Sequence, residues 1–143
     1  MKILALISLA LLAFSNFSQA QNLTPGIWHA QTDFRVDGIP LPASTGDSCV
    51  TPDDAKDAKS TLTKNLDKIG CVITDWNVVN DHLDASLECK NNQVEAKGKI
   101  QGDFTDKSYD LKGQAHGFYQ HVIPSVASLR LHGQWVSDCA PTN

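Results

Sequence analysis

Apolar and polar residues alternate along most of this chain, and the alternation predicts strands. Trp28, Ala30, Thr32, Phe34 and Val36 share one phase while His29, Gln31, Asp33 and Arg35 share the other, the two-residue period of a strand with one buried face in an antiparallel sheet. Pro25-Gly26 opens this strand, and Asp37-Gly38 followed by Pro40 and Pro42 ends it, so a loop is expected through Ser48. The same period returns where Val94, Ala96, Gly98, Ile100, Gly102 and Phe104 alternate with Glu95, Lys97, Lys99, Gln101 and Asp103. A two-residue turn at Asp106-Lys107 then sets Phe104 opposite Tyr109, Gly102 opposite Leu111 and Ile100 opposite Gly113, a large-against-small pairing suited to a curved sheet. Val122-Ile123-Pro124-Ser125 reads as the turn into a last strand, with Leu129, Leu131, Gly133, Trp135 and Cys139 inward and Arg130, His132, Gln134 and Asp138 outward.

Two stretches depart from plain alternation. From Cys71 to Cys89 two apolar-alternating runs meet at Asn80-Asp81, the signature of a β-hairpin, and a turn centred there places the two cysteines opposite each other. The inward phase of Cys71 and Ile73 is out of step with that of Trp76 and Val78. One extra residue near Thr74-Asp75, a β-bulge, restores a single apolar face and pairs Val78 with Leu83, Trp76 with Ala85 and Ile73 with Leu87. After Cys49 the period changes: Thr51 can cap a helix, Pro52 suits its first position, and Asp53 and Asp54 suit the positive end of its dipole. A helix is expected from Pro52 to Leu66, with Ala55, Ala58, Leu62 and Leu66 as its apolar stripe against the sheet.

Composition sets the compartment. Lys2, the apolar run from Ile3 to Phe14 and Ser18-Gln19-Ala20 have the layout of a secretory signal, so residues 1–20 are expected to be cleaved and 21–143 to form one domain exported to the periplasm. The apolar run is shorter than the roughly 20 residues that span a bilayer. Setting Lys2 aside from the 12 basic residues leaves the mature chain near −5 against 16 acids. With no basic stripe in the sequence, this balance argues against nucleic acid and against anionic membrane surfaces as partners. All four cysteines lie in the mature part, which in an exported chain implies two disulfides. Hairpin geometry selects Cys71 with Cys89, leaving Cys49 with Cys139.

Candidate chemistry is sparse. His29, His116 and His132 fall in the polar phase of their strands, as solvated outward residues do. His116 and His132 would approach each other if their strands were neighbours, giving a weak surface metal site. The sequence has no H-E-x-x-H, no G-x-S-x-G and no phosphate-binding glycine loop. The carboxylates are scattered over turns and outward positions rather than gathered as a catalytic pair. No enzyme activity, cofactor or metal site is therefore expected. Trp28, Trp76 and Trp135 all lie in inward phases, as core residues first and as an aromatic lining for a ligand second.

In order, Pro25-Gly26-Ile27-Trp28, the segment from Cys49 to Asp53, the segment from Cys71 to Asp75, Leu87-Glu88-Cys89 and Ser137-Asp138-Cys139 resemble the landmarks of a bacterial exported family, domain of unknown function 3617. The resemblance covers residues 25–139. It implies a small periplasmic protein of a Gram-negative bacterium and supplies no catalytic residues. Typical members carry methionine-rich segments, whereas this chain has Met1 alone.

The expected fold is α+β and mostly β: a curved antiparallel sheet of about six strands, one helix packed on it, and two disulfides. The expected function is non-enzymatic binding of a small apolar ligand or an envelope partner. An inhibitor or accessory protein of a cell-envelope enzyme, acting through a loop such as Asp37 to Ser48, is the alternative.

Overall fold

The computed structural model describes residues 22–67 and 70–141. The signal sequence expected over residues 1–20 lies outside the described residues. In chain order the elements are β1 (Gly26–Val36), β2 (Ile39–Pro40), β3 (Ser44–Val50), α1 (Pro52–Ala55), α2 (Ala58–Asp67), β4 (Cys71–Val79), β5 (His82–Lys90), β6 (Val94–Phe104), β7 (Ser108–Tyr119) and β8 (Ile123–Ser137). The strands make one antiparallel sheet. From β4 to β8 it is a meander in chain order; β1 adds beyond β8, and β2 and β3 both pair with the far side of β1. The sheet stays open, with β4 at one edge and β2 and β3 at the other.

The mostly-β fold class is as expected, and the bulged hairpin is found in the expected register. Cys71 faces Cys89 and Ile73 faces Leu87; the pairing then shifts between Ile73 and Asp75, after which Trp76 faces Ala85 and Val78 faces Leu83. Asn80 and Asp81 turn the chain with φ of 50° and 60°, as a tight turn matched to strand twist requires. β6 and β7 pair Phe104 with Tyr109 and Ile100 with Gly113, also as expected. The disulfides are Cys71–Cys89 and Cys49–Cys139. The first clips the base of the hairpin, and the second ties the end of β3 to the tail beyond β8.

Three expectations change. The segment expected to loop through Ser48 instead pairs with β1, Ser44 reaching Thr32 and Val50 reaching Gly26. Its residues lack apolar alternation because it is an exposed edge strand with no face to bury. The single helix is two: α1 ends at Ala55, and α2 restarts on a fresh cap, Asp57 Oδ1 accepting from the Ser60 backbone N–H at 3.0 Å. The turn before the last strand comes earlier, at Gln120-His121 with φ of 52° and 60°, so β8 already includes Pro124. Pro124 is tolerated because β1 pairs with β8 only as far as Ala127, leaving a ladder on one side alone.

One face of the sheet carries the core. Leu83, Ala85, Ile100, Phe104 and Leu111 are buried there, and Ala58 at the head of α2 packs into the same cluster. This inner face is where α2 lies. The chain before β1 is fixed across one end: the Leu23 N–H donates to the Ala55 carbonyl and the Thr24 N–H to the Asp106 carbonyl, both at 2.8 Å.

Candidate functional site

Two apolar pockets remain on the inner face, one lined by Ala58, Thr61 and Leu62 of α2 and the other by Leu66 near its end. The first, of about 230 Å³, is walled by Trp28, Trp76, Phe104 and Tyr109 and closed by Ala58 and Leu62 of the helix. Its aromatic wall is a row that crosses the sheet. Trp28 stacks on Tyr109 with ring centroids 5.9 Å apart, Tyr109 on Phe104 at 6.3 Å, and Phe104 meets Trp76 edge-on at 6.0 Å, each spacing in the attractive range for aromatic pairs. The Trp28 indole N–H donates to the Thr24 carbonyl at 2.9 Å, leaving the apolar ring body toward the pocket. Burial pushes the Tyr109 hydroxyl above its ordinary range, so this wall is uncharged at neutral pH.

The row depends on Gly133. A Cβ at that position would overlap the Tyr109 ring, and β8 faces Tyr109 with Gly133 in the sheet register. The ring therefore lies flat over a backbone that carries no side chain.

The second pocket, of about 290 Å³, is aliphatic. Phe34, Leu66, Leu87, Ala115, Ala127 and Leu129 surround it, and the Cys71–Cys89 disulfide forms part of its wall. Small residues at 96, 98, 113, 115 and 127 leave the space. Val94 and Asn91 mark its outer end, near the turn between β5 and β6.

Of the tryptophans expected to face a ligand, Trp28 and Trp76 come together in the first pocket and Trp135 does not line either pocket on the inner face. Trp135 is opposite Trp28 on β1, but its N–H donates to the Pro25 carbonyl at 3.0 Å and Lys107 lies 5.0 Å from its ring centre. The last two contributors to the aromatic row, Phe104 and Tyr109, carried a signal in the sequence as the pair flanking the β6–β7 turn.

The histidines do not converge. β7 and β8 are neighbours, yet His116 faces Val126 and His132 faces Asp110, an offset of about 20 Å at the usual rise per residue. The surface metal site considered for this pair is ruled out by register. His29 instead pairs with Asp47, His82 with Asp103 at 3.6 Å and His121 with Glu95 at 3.8 Å. No group of three metal-ligating side chains occurs among the described residues.

Strand pairing does assemble something that the linear sequence hides. On the outer face Lys97 and Lys99 of β6 and Lys112 and His116 of β7 line one open groove of about 760 Å³, with Gln101 and Gln114 between them. Lys97 is paired with Glu88 at 3.0 Å, whereas Lys99 and Lys112 take part in no ion pair among the described residues. Beside the groove Arg130 holds Asp110 through two hydrogen bonds of 3.0 and 3.3 Å. This partnership keeps the Asp110 carboxyl below the usual carboxylate range.

The landmark residues of the two disulfides and the β1 opening now lie within one continuous fold, and residues 23–139 match the family described as Protein of unknown function (DUF3617). The chain belongs to this family. No curated protein and no solved structure matches it. This DUF3617 member has no helix among its described residues long and apolar enough to cross a membrane.

Proposed function

We propose that this DUF3617 protein is exported to the periplasm, where it binds a small apolar ligand on the inner face of its sheet and performs no chemistry on it. The observation that carries the reading is the pair of apolar pockets beside α2, where space of about 230 and 290 Å³ persists against residues that otherwise form the core. Interiors usually close such gaps, because unfilled space forfeits packing contacts. Each is near the lower end of the sizes typical of ligand sites, so a single hydrocarbon chain fits better than a fused-ring compound. The alternative, an inhibitor acting through a protruding loop at 37–48, has less behind it: most of that segment is paired on β1.

Native mass spectrometry of protein purified from the periplasm of a Gram-negative host tests the reading. A discrete added mass that disappears on denaturation is expected, and Ala127→Trp, which fills the aliphatic pocket, should remove it without changing the circular dichroism. A bare polypeptide mass for the unsubstituted protein, together with no uptake of a fluorescent fatty acid, would overturn it.

A further inference from the structure

The β7–β8 hairpin loses its alternation at its tip. Up to His116, β7 presents polar residues on the outer face; Phe118 then breaks the pattern, and across from it β8 supplies Pro124, with Val126 one outward step back opposite His116. On the inner face Tyr119 stands opposite Ile123. Both faces of the tip are therefore apolar, and they are uncovered: Phe118 is 48% exposed, Ile123 48% and Val122 at the turn 73%. Scattered apolar residues on a surface are ordinary, but a contiguous apolar projection marks an interaction site.

We propose that this tip docks the protein onto a lipid bilayer bearing anionic headgroups. The other side of the argument is charge. His116 and Lys97 are directly opposite one another, one outward step of about 7 Å behind Phe118, and Lys99 and Lys112 continue the basic groove behind them. An apolar projection backed by cations is the arrangement that an interface of acyl chains and phosphates selects. Of the acids at this end, Glu88 is paired with Lys97 and Asp37 accepts from the Val126 N–H at 2.7 Å, while Glu95, opposite Phe118, lies 3.8 Å from His121. The chain's overall acidity argued against such a surface, but strand pairing gathers Lys97, Lys99 and Lys112 along one groove behind the tip. The inner side of the tip also continues into the aliphatic pocket through Ala115 and Ala127. Docking therefore brings the pocket's outer end against the bilayer.

Flotation with vesicles of phosphatidylethanolamine and phosphatidylglycerol, compared with pure phosphatidylcholine, tests this on the mature protein. Binding to the anionic vesicles is expected to exceed that to phosphatidylcholine severalfold and to weaken as salt rises from 50 to 300 mM, as the screening length falls from ~14 to ~6 Å. Val122→Asp with Phe118→Ser should lower binding at least tenfold, and Lys99→Gln with Lys112→Gln should remove most of the salt dependence. All four positions are exposed, so the variants should fold, as circular dichroism would check. Absence of vesicle binding, or binding indifferent to the tip substitutions, overturns the proposal. In that case a dimer seen by sedimentation and lost on Val122→Asp would assign the tip to a second copy of the chain. Vesicle binding is read without reference to any bound ligand, so its failure and an empty pocket are separate results.

Discussion

Tyr109 and Gly133 show how much one missing methyl group decides. The Tyr109 ring occupies the space where a residue-133 side chain would stand, and through Tyr109 the stacking runs from Trp28 on β1 to Phe104 on β6. Gly133→Ala should therefore push the ring aside and cost about 1–3 kcal/mol, the usual range for overpacking. Urea unfolding would measure it, and an effect under about 0.5 kcal/mol, as at an open surface site, would show that the ring has room to move. The sequence placed Gly133, Trp28 and Tyr109 on the inner face through alternation alone. It did not place Gly133 under Tyr109, because that contact is set by the register between β7 and β8. Trp135 marks the limit of the same reasoning: parity turned it to the inner face, but only the tertiary position at the end of the sheet lets it reach Pro25 and Lys107.

At the scale of elements, the β4–β5 hairpin was readable almost residue by residue. Its two strands are sequence neighbours, its turn has the residues a tight reversal needs, and its apolar phases fit one face only if one residue is extra. Thr74 is that residue, skipped by the pairing between Ile73 and Asp75. Deleting Thr74 should thus convert β4 to a regular strand with Cys71, Ile73, Trp76 and Val78 still inward, changing stability by less than about 1 kcal/mol. Deleting Asn77 instead turns Trp76 outward and should cost about 2–3 kcal/mol through lost burial. Thermal unfolding of the two deletions would distinguish them, and equal costs would mean the bulge itself is required. The helix break and the edge strands were less legible. Asp57 is an ordinary helix residue until its carboxylate is seen capping Ser60. From Ser44 to Cys49 the residues of β3 are exposed on both faces, so no burial pattern could announce the strand.

At the scale of the molecule, closure of the fold is non-local. β1 pairs with β8 from Ile27 with Ser137 to Val36 with Ala127, joining the two ends of the described sheet, and Cys49–Cys139 locks that join across a separation of 90 residues. The clip at Cys71–Cys89 spans only 18. If chain entropy governs, replacing Cys49 and Cys139 by Ser should cost about 4–5 kcal/mol and replacing Cys71 and Cys89 about 3 kcal/mol. Urea unfolding of both double variants under non-reducing conditions would rank them, and the reverse order would place the main stabilisation in the local hairpin. The outer basic groove is another product of this scale: Lys97 and Lys99 of one strand come to share it with Lys112 and His116 of the next only once β6 and β7 pair.

What the sequence by itself determined was the disulfide framework, the inner face of each main strand, the bulge and the two tight hairpins at Asn80-Asp81 and Asp106-Lys107. Parity and turn chemistry, which act over a few residues, give all of these except Cys49–Cys139, which is what remains once Cys71 and Cys89 are paired. What only the tertiary structure decided was the union of β1 with β8, the edge strands, the two pockets beside α2, and the apolar tip with its cations behind it. Those depend on which strands become neighbours and on the space that side chains from distant segments leave unfilled, and neither quantity is encoded in any one stretch of the chain.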